Sequence, residues 1–170
     1  MQSVEFRAEL RDAELAPLIL RAIGAKPLGS TEWEDSYFRV PDGWLKRRSA
    51  AGEPTDWVRY HRTPRVQPKI VRFEVLADEQ GIERFGQHPM PLWLAIRKHR
   101  ELWMRGYTTV SLDHIEHLGR FVKLEALVSP QHNVVRAHRE INRIRDALSP
   151  ALGEPIAEGY ADLMLRQLAA

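Results

Sequence analysis

The chain has 170 residues, 44% of them hydrophobic and 28% charged, with 25 Lys and Arg against 23 Asp and Glu for a formal net charge of +2. That length suits one domain over residues 1–170 with a sizeable core, and so even a charge balance gives no argument for a nucleic-acid partner. Cysteine is absent, which excludes disulfides, thiolate metal sites and cysteine nucleophiles. No apolar run reaches the roughly 18 residues of a spanning helix, and no signal-peptide core opens the chain, so a cytoplasmic protein away from membranes is expected.

Ser3–Arg11 alternates strictly. Ser3, Glu5, Arg7, Glu9 and Arg11 fall on one face, and Val4, Phe6, Ala8 and Leu10 on the other, which predicts a strand. Asp12 then suits the cap of a helix carrying Leu15, Leu18, Ile19 and Ile23, stopped by Gly24. Strands are expected at Ser36–Val40, Trp44–Ser49, Asp56–Thr63 and Lys69–Leu76, with turns at Pro41-Asp42-Gly43 and Ala51-Gly52-Glu53-Pro54. Asp78–Phe85 reads as a short helix, followed by a Gly/Pro/His loop up to Pro91. Further strands are expected at Ile96–Met104, Thr108–Asp113 and Phe121–Val128, and helices at Asn133–Leu148 and Gly159–Leu168. Strands joined mostly by short turns, with helices interspersed, give an α+β fold with an antiparallel sheet.

Several strands place charges where a sandwich core would need hydrocarbon. Lys46 and Arg48 flank Arg47, Lys98 and Arg100 flank His99, and Lys123 and Glu125 alternate with Val122, Leu124 and Ala126. Those charges must meet water, either on an open sheet face or inside a wide solvated barrel.

Taken in order, these motifs resemble the CYTH superfamily, the triphosphate tunnel metalloenzymes, and within it the group similar to class IV adenylate cyclases and thiamine triphosphatases. Val4-Glu5-Phe6-Arg7-Ala8-Glu9 is similar to the family's opening E-x-E-x-K strand, and Asp35-Ser36-Tyr37-Phe38 follows. Leu45-Lys46-Arg47-Arg48 resembles L-K-x-R, Pro68-Lys69 fits the start of the strand after the hairpin, and Arg97-Lys98-His99-Arg100 resembles the K-x-R strand. The most specific stretch runs from Leu112-Asp113 through Leu118-Gly119 to Lys123-Leu124-Glu125, and Gly159-Tyr160-Ala161-Asp162-Leu163 closes the series.

The resemblance implies a closed antiparallel β-barrel of about eight strands with flanking helices, wide enough to hold a ligand. It implies Arg7, Lys46, Arg48, Lys69, Lys98 and Arg100 as grips for a polyphosphate, with Arg59 or Arg62 added according to strand register. It further implies magnesium or manganese held by Glu5, Asp113 and Glu125, and triphosphatase or adenylate cyclase-like phosphoryl chemistry on an organic or nucleoside polyphosphate. Two positions depart from the pattern: Ser3 stands where the first opening Glu is expected, and Lys123 where the first Glu of the late E-x-E strand is expected. Lys123 admits three readings: a pair with Glu125, an added cation that binds anions without metal, or drift after catalysis was lost. The alternative function is therefore a repurposed tunnel without a metal cofactor. In it Glu5, Asp113 or Glu125 serves as general acid or base on an anionic metabolite, or the ligand is bound without turnover.

Other residues carry less. His114 and His117 are three apart, with His61, His88 and His99 elsewhere, and no zinc-type motif joins them. Trp33, Trp44, Trp57, Trp93 and Trp103 read as packing residues, and the Arg136–Arg145 segment as a solvated helix face. Oligomeric state is open, with a homodimer the base-rate expectation.

Overall fold

The computed structural model describes residues 1–86 and 92–170, so the loop expected up to Pro91, with His88, lies outside them beyond Gly86. In chain order the elements are β1 (Gln2–Leu10), α1 (Leu15–Ala22), β2 (Lys26–Phe38), β3 (Trp44–Ala50), β4 (Asp56–Arg62), β5 (Lys69–Ala77), α2 (Asp78–Phe85), β6 (Leu92–Arg105), β7 (Thr108–Ile115), β8 (Gly119–Leu127), α3 (Val134–Leu148), β9 (Leu152–Pro155) and α4 (Tyr160–Ala169). All ladders are antiparallel, in the order β5-β4-β3-β2-β6-β7-β8-β1-β9. Strand β1 also pairs with β5, from Gln2↔Arg72 to Glu5↔Lys69, and so shuts β1 to β8 into a barrel. Farther along the same edge, Ala8 and Leu10 pair with the short β9. Closure gives every barrel strand a neighbour on both sides, although Lys26 to Glu32 of β2 pair with β6 alone.

The alternation read in β1 decides which wall is dry. Val4, Phe6, Ala8 and Leu10 point outward and pack with Val122, Leu124 and Ala126 of β8 beneath Ala16 and Leu20 of α1 and Ala137, Ile141, Ile144 and Leu148 of α3. This outer layer is the main core, where each Å² of apolar surface removed from water contributes about 25 cal/mol. A second cluster lies inside one end of the barrel. There Tyr37, Tyr60, Val71, Ile96, Ile115 and Phe121 pack with Tyr160, Ala161 and Met164 of α4, which closes that end.

Local chemistry fixes the joints. Asp12 Oδ1 accepts from the N–H groups of Glu14 and Leu15 at the start of α1, and Asn133 Oδ1 accepts from Arg136 N–H at the start of α3. In the Pro41–Gly43 turn, Gly43 has φ 78°, and an added Cβ would sit 2.7 Å from the Tyr60 carbonyl oxygen. Gln167 Nε2 of α4 donates to the carbonyl of His117 in the β7–β8 turn at 2.7 Å.

Most strand boundaries fall within two residues of the sequence expectation, and two strands run well beyond it. Strand β2 begins at Lys26 rather than Ser36, and β6 spans Leu92–Arg105 rather than Ile96–Met104. The β2 extension, Lys26 to Asp35, pairs with Met104 to Ile96, and the added start of β6, Leu92 to Ala95, pairs with Phe38 to Ser36. Residues 26–30 are exposed, so no apolar alternation announces them. Strand β9 was also not expected, since its four residues contain a Gly and a Pro.

Candidate functional site

The charged alternates of the strands line the lumen. A cavity of about 300 Å³ opens at the end opposite α4, and six cationic side chains border it: Arg7, Lys46, Arg48, Arg62, Arg100 and Lys123. Two carboxylates, Glu5 and Glu125, face the same space.

The ladder between β1 and β8 sets the centre of the site. Glu5 lies opposite Glu125, and Arg7 opposite Lys123. Lys123 Nζ sits 3.1 Å from Glu5 Oε1 and 2.7 Å from Glu125 Oε2, while Arg7 Nη2 donates to Glu5 Oε1 at 3.2 Å. Asp35, fully buried on β2, accepts from Lys98 Nζ at 2.7 Å and Lys46 Nζ at 3.1 Å. Arg100 binds Asp113 through two hydrogen bonds of 2.7 and 2.9 Å, and Arg48 binds Asp56 in the same bidentate manner. From α4, the Tyr160 hydroxyl donates to Asp113 Oδ2 at 2.7 Å, and the Arg7 guanidinium lies 4.5 Å from the Tyr160 ring centre.

Not every donor is used. Arg7 Nε, Arg62 Nε and Arg62 Nη1 are buried without a hydrogen-bond partner among the described residues, as are Ser3 Oγ and one oxygen each of Glu5 and Asp35. Buried guanidinium groups with open donors are costly unless an anion meets them.

Burial and charge act on these groups in opposite directions. Burial would raise the Glu5 carboxyl, yet Arg7, Lys123 and Arg62 together hold it well below the usual carboxylate range. Burial opposes ionisation of Asp35 and Asp113 too, and is outweighed by Lys46 and Lys98 in one case and by Arg100 and Tyr160 in the other. Lysines move the other way. Burial, with Arg100 nearby, lowers Lys98 to about 8, and burial with Arg62 lowers Lys69 to about 8. Burial also takes Lys46 well below its ordinary value despite the opposing pull of Asp35.

The residues named from the sequence therefore divide into three groups. Glu5, Arg7, Lys46, Arg48, Arg62, Arg100, Lys123 and Glu125 meet at the cavity. Asp113, Lys98 and Lys69 stand behind it: Lys98 is held by Asp35, and Lys69 Nζ donates to the carbonyls of Arg65 and Ala157. Arg59 does not join them. The period of two along β4 turns Val58, Tyr60 and Arg62 inward and Arg59 outward, where it donates to the Asp42 carbonyl. Asp35, Asp56 and Tyr160 were not named as site residues, although Asp35 and Tyr160 lie within the quoted motifs.

The metal implied by the resemblance can be tested against the donors. Glu5 and Glu125 are bridged by one ammonium, and Asp113 is committed to Arg100 and Tyr160. Among the described residues, no three His, Asp or Glu side chains converge as a cation site, and His114 and His117 form none. A divalent ion between Glu5 and Glu125 would stand against the positive charge of Lys123, so this donor set does not fit one.

A closed antiparallel barrel with a cation-lined lumen, open at one end, is the architecture of a tunnel fold. The sequence matches the CYTH domain over residues 1–160, and the chain belongs to that family. Its fold is similar to that of PH1012 from Pyrococcus horikoshii OT3, with TM-score 0.76 and 20% identity over 95% of this chain and 98% of that one. A proposed adenylate cyclase of Vibrio parahaemolyticus gives TM-score 0.75 and 11% identity over 96% and 97% of the two chains. The RNA triphosphatase Pct1 of Schizosaccharomyces pombe gives TM-score 0.53 and 9% identity over 90% and 84%. At such identities the likeness is one of fold. No curated protein matches the chain in sequence.

Proposed function

We propose that the lumen binds the phosphate head of an anionic small molecule with protein cations alone, the Lys123 ammonium occupying the place that the family pattern gives to a divalent ion. The carrying observation is the position of Lys123 Nζ between Glu5 and Glu125. Metal-assisted triphosphatase or cyclase chemistry would need those carboxylates free. The arrangement instead supports the alternative, a repurposed tunnel on an anionic metabolite. Arg62 and Arg7 supply open donors, Lys123 supplies charge, and Arg48 and Arg100 are held by Asp56 and Asp113 in fixed orientations at the wall. Glu5, Glu125 and Asp113 are drawn toward the ionised form, so they serve as counterions or bases rather than as proton donors near neutrality.

Calorimetric titration with tripolyphosphate and with ATP, each in magnesium and in EDTA, tests this reading. Binding is expected in EDTA and is expected to weaken at least about tenfold in Lys123→Glu. Binding that requires magnesium, or that strengthens in Lys123→Glu with magnesium present, would overturn it.

A further inference from the structure

Outside the lumen, the β6–β7 turn and the connection from β8 to α3 meet beside the open end of the barrel. Thr109 and Leu127 border the lumen, whereas Tyr107 and His132, close to them in the chain, turn to a second cavity of about 250 Å³. The two cavities share no residue. The floor of the second is held in place. His132 is buried, with Nδ1 3.2 Å from the Leu127 carbonyl oxygen, and the Tyr107 ring stacks on it with centres 4.5 Å apart. Arg105 Nε donates to the Ile23 carbonyl at 2.9 Å. Glu140, the one carboxylate bordering this cavity among the described residues, lies 3.6 Å from Arg105 Nη1 and 3.5 Å from His132 Nε2.

The wall is cationic. Arg136, Arg139 and Arg143 of α3 border the same cavity, all three are exposed, and none has a carboxylate partner among the described residues. Arg136 Nη1 donates only to the Gln131 carbonyl, at 3.1 Å. At spacings of three and four residues the arginines stack along one side of the helix over about 10 Å. Ala137, Ile141, Ile144 and Leu148 bury a different stripe. Like charges so placed repel one another until an anion meets them. The segment expected to be a solvated face is thus divided. Arg145 lies over the Phe6 ring on another flank, while the other three arginines face a concave site with an aromatic floor. Tyr107 is 59% exposed, and Val135, four residues before Arg139 and so its neighbour on the helix surface, is 64% exposed.

Guanidinium forks match carboxylates through paired hydrogen bonds, and Arg and Tyr are enriched among the residues that carry the energy of protein interfaces. The row is also short. Glu140 stands within it, and Asp146, 76% exposed, follows three residues after Arg143. A nucleic-acid backbone, charged at every residue, would run from the arginines onto these carboxylates. A short acidic stretch of protein matches the row in length and in sign. We propose that this groove docks an acidic segment of a partner protein. Its carboxylates pair with Arg136, Arg139 and Arg143, and an aromatic or aliphatic side chain beside them packs on Tyr107 and Val135. The groove is separate from the lumen and needs no ligand there.

The probe is a fluorescein-labelled hexapeptide of five glutamates and one phenylalanine, titrated by fluorescence anisotropy into the whole protein at low salt. Binding is expected, weakened at least about tenfold by Arg139→Glu with Arg143→Glu and severalfold by Tyr107→Ala. Arg11→Glu with Arg120→Glu makes the same change in net charge at the end closed by α4, and is expected to leave the affinity within about twofold. All these side chains are exposed, and circular dichroism checks that each variant keeps the fold. Lys123→Glu, in the lumen, is expected to keep peptide binding. No binding, or equal losses from the two arginine pairs, would overturn the docking site. Binding lost in Lys123→Glu and kept in the Arg139 and Arg143 variant would overturn it by placing the peptide in the lumen. A labelled oligouridylate that binds tighter than the peptide through the same arginines would overturn the protein partner in favour of RNA.

Discussion

The Tyr160 hydroxyl and the Asp113 carboxylate are joined by a 2.7 Å hydrogen bond that spans 47 residues of chain and docks α4 inside the barrel. The same carboxylate is gripped from the wall by Arg100. Burial first, and Asp113 second, hold the Tyr160 phenol well above its ordinary pKa, so it remains a donor through the physiological range. Tyr160→Phe keeps the ring beside Phe121 and under Arg7 and removes only this bond. It is expected to cost about 1.5–3 kcal/mol, the range for hydrogen bonds to charged groups, read as a shift of the urea unfolding midpoint. An unchanged midpoint would show that ring packing alone docks the helix.

Arg62 should separate binding from stability. Its Nε and Nη1 are buried without partners among the described residues, and its guanidinium lies 4.7 Å from the Tyr60 ring centre. Arg62→Ala is expected to weaken tripolyphosphate binding at least about tenfold while thermal stability holds or rises, because an incompletely paired buried cation is removed. A protein that loses stability and keeps its affinity would contradict this role.

Affinity should fall on the alkaline side before the protein does. Lys69 and Lys98 titrate at about 8, lowered mainly by burial, so raising the pH through that value strips positive charge from around the lumen. Their unfolded counterparts titrate near 10.4. Between the two values the unfolded chain binds more protons, so these lysines make stability rise with pH over that window. The expected result is pyrophosphate affinity decreasing from pH 7 to about pH 9 with no drop in melting temperature attributable to them. Lys69→Arg, which stays charged, should flatten part of the binding profile.

Asp35 is the counterion on which two buried lysines depend. Its pKa is far below the ordinary carboxylate value, with Lys46 and Lys98 outweighing burial, so its contribution is present above about pH 4 and is lost in acid as the group protonates. Asp35→Asn leaves both ammonium groups buried without their shared partner. A loss of about 3–5 kcal/mol at neutral pH is expected. Part of it should return by pH 9, because loss of the carboxylate that raises Lys98 eases that lysine's release of its proton, and denaturant unfolding at the two pH values measures both.

Strand β1 was legible because its two faces differ in chemistry at each step: Val4, Phe6 and Ala8 against Glu5 and Arg7. The first helix announced itself through Asp12 set before an apolar stripe, and the helix after Asn133 through the stripe alone. The first part of β2 did not, because Lys26 to Ser30 is exposed and is held as strand only by its partner β6. At the site, residue types were readable but pairings were not. Nothing in the spacing of Asp35, Lys46 and Lys98 states that one carboxylate serves both cations, because β2 meets β3 and β6 only once the sheet is assembled. Arg59 and Arg62 show the same limit. Both are cations on one strand, and only the register places one inside and one outside.

The double pairing of β1 also governs how the barrel comes into being. Its partners β5 and β8 lie far along the chain, with Ser3 meeting Val71 on one side and Leu127 on the other. Until the chain as far as Leu127 is present, the sheet has two open edges and its ring of charges is unsheltered. Contacts of such long sequence separation are slow to form, and loop-closure entropy must be met before they stabilise anything. Cylinder closure is thus expected as a late kinetic step, and the interval before it is when this chain is most exposed to misassembly through its unpaired strands.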